Sequence, residues 1–153
     1  MKVLGVIPAR YSSLRFPGKP LVDIAGKSMI QRVYEQAIKC KDLNKVLVAT
    51  DDDKIFNHVK LFNGNVIITS SNHQSGTDRC AEAVEKIGED YDIIINIQGD
   101  EPTINPFQIS SLIELLKNSN AAPSSTTVPL PVAPRPYAFA TLTIPASTLV
   151  VPE

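Results

Sequence analysis

Apolar residues follow two alternating rhythms along this chain. Short runs at Val3 to Ile7, Lys45 to Ala49, Val66 to Thr69 and Tyr91 to Ile97 have the length and branched side chains of buried strands. Between them, apolar positions recur every three or four residues, the period of a helix with one buried face. Ile30, Val33, Tyr34, Ala37 and Ile38 make one such stripe behind Ser28, a good helix cap. Ile55, Phe56, Val59 and Phe62 make a second, begun by Asp51 or Asp52 and turned by Asn63-Gly64-Asn65 into the next strand. Cys80, Ala81, Val84 and Ile87 make a third, opened by Thr77 or Asp78 and ended by Gly88. A fourth helix is expected over Pro106 to Lys117.

Four strands alternating with four helices predict an α/β fold, an open and mostly parallel sheet with flanking helices. All strands of such a sheet point the same way, so the segments that follow them gather along one edge, and ligands bind there. In this chain those segments are Arg10 to Lys19, Thr50 and Asp51, Ser75 to Arg79, and Gln98 to Glu101. The polar residues stand where the fold places a crevice.

The first of these segments sets the chemistry. It holds Arg10, Arg15 and Lys19 and no acidic residue, which suits a polyphosphate. Pro8, Pro17 and Pro20 stiffen it, Gly18 permits a turn or a close approach that a Cβ would forbid, and a pre-ordered loop loses little entropy on binding. Asp100, at the end of the most apolar strand, reads by itself either as a turn former before Glu101-Pro102 or as a ligand for a hard cation such as Mg2+. Positioned cations with a magnesium ion match what nucleotidyl transfer asks of a protein. The acids Asp51-Asp52-Asp53 are read as a helix cap rather than a metal motif.

The run Ile-Pro-Ala-Arg-Tyr-Ser-Ser-Leu-Arg-Phe-Pro-Gly-Lys-Pro-Leu resembles the nucleotide-binding loop of the sugar-acid cytidylyltransferases, the 3-deoxy-manno-octulosonate (Kdo) cytidylyltransferases in particular. His73-Gln74-Ser75-Gly76-Thr77-Asp78-Arg79 and Asn96-Ile97-Gln98-Gly99-Asp100-Glu101-Pro102 carry the same resemblance, which extends over residues 1–118. It implies a Rossmann-like fold of the nucleotide-diphospho-sugar transferase type, and CTP and Kdo as substrates giving CMP-Kdo and pyrophosphate for lipopolysaccharide synthesis. It further implies that Arg10 and Lys19 contact the triphosphate, with Arg15 in the same phosphate-binding set, and that Asp100 binds Mg2+. Ala9, Ser13, Ser75, Gly76, Arg79 and Gln98 complete the implied substrate-binding set. A sialic-acid cytidylyltransferase and a catalytically silent nucleotide-binding module are the competing expectations.

Charge and composition narrow the field. A net charge of -1 argues against a general nucleic-acid or membrane surface, so the basic loop is a local device. Neither a signal-like opening nor a bilayer-length apolar run is present, and a soluble cytoplasmic protein is expected. Cys40 and Cys80 lack metal-ligand spacing and read as reduced thiols near helices. Gly26-Lys27-Ser28 copies the end of a P-loop, but Leu21 stands where that motif needs glycine. His58 reads as a helix-surface residue, and His73 lies beside the ligand edge.

Residues 119–153 depart from the pattern. They are rich in Pro, Ser and Thr, with Arg135 their only cation and no acid before Glu153. The family's second metal-binding aspartate, most of its sugar-acid pocket and its homodimer contact have no counterpart here, so the chain reads as truncated relative to the resemblance. The abrupt loss of charge and of helical period suggests a replaced or out-of-frame ending. One edge strand is expected over Tyr137 to Ile144, bracketed by Pro136 and Pro145.

Overall fold

The computed structural model describes residues 1–12, 16–118 and 138–142. Ser13 and Arg15, named above as site residues, lie outside the described residues, as do the remaining tail positions, with every expectation about them. The elements are β1 (Val3–Ala9), a 3-10 turn (Lys19–Leu21), β2 (Asp23–Ile24), β3 (Lys27–Ser28), α1 (Met29–Ala37), β4 (Lys45–Thr50) and α2 (Asp53–Leu61). They continue with β5 (Val66–Ile68), α3 (Gly76–Ile87), β6 (Ile93–Ile97), α4 (Pro106–Asn118) and β7 (Ala138–Leu142).

Five strands form one parallel sheet in the order β5-β4-β1-β6-β7. Strand side chains alternate cleanly between two apolar layers. Val3 and Ile7 of β1, Val46 and Val48 of β4, and Ile93, Ile95 and Ile97 of β6 face the layer filled by α1, α2 and α4. Leu4, Val6, Leu47, Ala49 and Ile94 face the other, filled by Cys80, Ala83 and Val84 of α3. Helices on both faces bury the strands twice over, which is why their sequence reads as runs rather than as alternation.

The expected strands and helices are present, with shifted ends. Ser28 caps α1, its hydroxyl accepting from the Gln31 amide, and Asp52 caps α2 through the Lys54 and Ile55 amides. The α1 stripe stops at Ala37, so Ile38 is 54% exposed rather than core. Tyr91 precedes β6 instead of opening it, packing in the α3 layer and donating its hydroxyl to Glu89. The third helix is capped two or three residues earlier than expected, because Ser75 supplies the capping oxygen in place of Thr77 or Asp78, accepting from the Asp78 amide. Gly26 belongs to a hairpin turn, Ala25 and Gly26 both having positive φ between β2 and β3, as a two-residue reversal requires. Within the tail, Ala138–Leu142 pairs with β6 and forms the edge strand. Both cysteines are buried free thiols, and burial pushes the Cys80 thiol up to about 12 against the pull of the Arg79 guanidinium.

Candidate active site

The ends of β1 and β6 lie side by side at the carboxyl edge, and the loops that leave them form one side of an open cleft of about 300 Å³. Ala9, Arg10 and Lys19 line it from the first loop, and Gln98, Gly99 and Asp100 from the loop after β6. Gly76 and Arg79 of α3 also line it, with Gln74 beside them. Of the described residues named from sequence, only Ser75 is not among its lining, since its hydroxyl is committed to Asp78 in capping α3.

Close backbone approach builds the charged side. A Cβ on Gly99 would stand 2.9 Å from the Pro8 carbonyl oxygen, so glycine is what lets the β6 loop press against the end of β1. Gly18 sits at φ 72, and its amide donates to the Tyr11 carbonyl at 2.8 Å, closing the first loop. Its backbone passes against the Tyr11 ring, over which the Lys54 ammonium lies 4.6 Å from the centroid. Lys19 thereby reaches the β6 loop, and its ammonium donates to Asp100 Oδ2 at 2.8 Å across 81 positions of sequence. Both side chains stay open to solvent, at 40% and 53% exposure. The Arg10 side chain brings a buried Nη2 with no hydrogen-bond partner among the described residues.

On the α3 side the charge is buried. Arg79 is fully buried, its Nη1 donating to Thr69 Oγ1 at 2.5 Å and its Nη2 to Asp51 Oδ2 at 3.0 Å. Asp51 is therefore not a spare acid of the α2 cap but the counter-charge of a core guanidinium. His73 pairs with Glu82. His58 is not a plain surface residue, since its Nε2 lies 2.7 Å from the capping Ser28 hydroxyl and its ring meets the Phe62 edge. Sequence reasoning did not single out Gln74, Pro8, Pro20 and Gly99 as lining, nor Glu82 as the partner of His73. Glu82 carried a usable signal, falling three residues after Arg79 and so on the same side of α3.

Among the described residues no three His, Cys, Asp or Glu side chains converge as a metal cage. A magnesium ion needs less than that, because it keeps waters and takes one or two carboxylates beside substrate phosphates. Asp100 fits, being half-exposed at the cleft and already beside a cation, the Lys19 ammonium.

This parallel α/β sheet, with a cationic loop after its central strand and a carboxylate after the neighbouring one, has the fold of the nucleotidyltransferase class, and solved structures agree. The chain is similar to a CMP:2-keto-3-deoxy-manno-octonic acid synthetase solved with CTP, with TM-score 0.77 and 47% identity, covering 80% of this chain and 50% of that one. It is also similar to a cytidylyltransferase from Leptospira borgpetersenii, with TM-score 0.68 and 28% identity, covering 78% and 51%. The 3-deoxy-manno-octulosonate cytidylyltransferase of Parabacteroides distasonis is 60% identical over 121 residues, 78% of this chain and 47% of that protein. Its counterpart from Bacteroides thetaiotaomicron is 56% identical over 112 residues, 73% and 44%. Residues 4–142 match the cytidylyltransferase family, and the chain belongs to it. It spans about half the length of the curated relatives it matches.

Proposed function

We propose that this chain is the nucleotide-binding part of a Kdo cytidylyltransferase, which joins CMP from CTP to Kdo and releases pyrophosphate. The observation that carries the reading is the charged lining of the cleft, where Arg10, whose Nη2 has no partner among the described residues, joins the exchangeable Lys19–Asp100 pair. In the reaction the anomeric hydroxyl of Kdo attacks the α-phosphorus and loses its proton to solvent, a new P–O bond forms, and the bond to the bridging oxygen of the pyrophosphate breaks. Arg10 donates to the triphosphate, and Lys19 exchanges a solvated carboxylate for phosphate oxygen. Both then stabilise the charge that grows on the leaving pyrophosphate. Asp100, bordered by Gln98, would hold Mg2+, which supplies further neutralisation of phosphate charge when bound. The wall of Gln74, Gly76 and Arg79 is left to face the rest of the nucleotide. The activated sugar is destined for lipopolysaccharide synthesis, and the proposed setting is the cytoplasm; among the described residues no helix is long and apolar enough to cross a membrane.

Titration calorimetry with CTP and Mg2+, followed by a pyrophosphate-release assay with Kdo or sialic acid, tests this. Binding with release on Kdo is expected. Release with sialic acid alone moves the assignment to that sugar, binding without release leaves a silent nucleotide-binding module, and no binding of CTP overturns the reading.

A further inference from the structure

The part of the cleft lining supplied by α3 and the stretch before it is tied together by side chains of α3. The stretch between β5 and α3 contributes Gln74 and leads into Gly76, and two side chains of α3 grip it. Arg79 holds its beginning through Thr69. Glu82, one turn further along, holds its middle twice. Its Oε2 accepts from the Ser70 amide at 2.8 Å and pairs with His73 Nε2, while its Oε1 accepts from Lys86 at 2.7 Å. Lys86 closes the group by also donating to the Ile68 carbonyl at 3.0 Å. Burial would raise the Glu82 carboxyl, but the Lys86 ammonium, the Ser70 amide and the His73 imidazole outweigh it and hold the group at about 2. A carboxylate only accepts, so His73 Nε2 is the donor in their bond. The side chain is 18% exposed. This is more than helix trim, because His73, one of the two loop residues it holds, immediately precedes cleft-lining Gln74.

We infer that Glu82 is a positioning residue of the cleft: by binding Ser70 and His73 together it sets where Gln74 and Gly76 stand, and so how tightly the nucleoside end of a bound nucleotide is held, without touching it. The inference rests on the nucleotide-binding reading above. It separates the two sides of the cleft functionally, since Arg10 and Lys19 are untouched by Glu82 and would grip a bare polyphosphate alone.

Titrations with Mg-CTP and with inorganic tripolyphosphate, on the full chain, test this. Glu82→Ala is expected to lose at least about tenfold in CTP affinity with tripolyphosphate affinity within about twofold of wild type. Glu82→Gln, which keeps one acceptor for the Ser70 amide, is expected to recover part of the loss. A merely structural role predicts a lower Tm with equal weakening of both ligands, and that result, or unchanged CTP affinity, overturns the inference while the functional reading stands. Should Glu82→Ala not fold, His73→Ala removes one of the two loop contacts at a part-exposed side chain and takes the same comparison. A wild type that binds tripolyphosphate but not CTP overturns the functional reading and this inference with it.

Discussion

The two sides of the cleft use the same kind of contact under opposite conditions. On the loop side, Lys19 and Asp100 meet at 2.8 Å with 40% and 53% of their side chains in water. On the helix side, Arg79 and Asp51 meet at 3.0 Å with 0% and 12% exposed. Water screens the first pair, so it adds little stability and is free to exchange partners. Loss of hydration makes the second costly to break, because either partner alone becomes a buried uncompensated charge. One pair can exchange partners, and the other keeps its shape.

The largest effect expected from that contrast is on the buried side. Arg79→Leu strands Asp51 and should destabilise by about 3–5 kcal/mol in chemical denaturation, while pairing it with Asp51→Val should recover much of the loss. Next comes acid. The Glu82 carboxyl falls from an ordinary 4.5 to about 2 on folding, so its stabilisation is complete above about pH 4.5 and lost as pH drops toward 2. Unfolding free energies at pH 6 and pH 2.5 should differ less in Glu82→Ala than in wild type, by up to about 3 kcal/mol. Gly99→Ala forces a Cβ against the Pro8 carbonyl and should cost about 1–3 kcal/mol, with weaker CTP binding because the β1 and β6 loops are pushed apart.

The smallest stability change belongs to the exposed pair. Lys19→Ala should stay within about 1 kcal/mol of wild type, yet weaken CTP binding in a salt-dependent way. Asp100→Asn should mainly weaken the Mg2+ dependence of CTP binding. A large stability loss in Lys19→Ala, or a negligible one in Arg79→Leu, would erase the distinction between the two sides.

Most of the scaffold was legible along the chain, since strand runs and helical stripes are local patterns and the edge at which their loops gather follows from parallel strands. Misplaced ends have local causes too. Ser75 caps α3 in place of Thr77 or Asp78 because any of three nearby side chains has a suitable oxygen, and only the path of the entering chain chooses among them. Ile38 fits the apolar stripe of α1, but the helix turns off at Ala37 and leaves it in water. His73 was placed at the ligand edge, whereas its pairing with Glu82 depended on how the loop folds back onto α3.

Taken alone, the order of residues determined the α/β alternation, the cationic first loop, the acid after the fourth apolar run and their common edge. Tertiary structure decided that β1 lies between β4 and β6, which brings Lys19 within 2.8 Å of Asp100, and that Arg79 goes inward to Asp51 instead of outward to solvent. The division has a physical reason. Local periodicity records which face of an element is buried, whereas the partner of a charge 28 or 81 positions away depends on which strands become neighbours, and that is settled only when the whole sheet assembles.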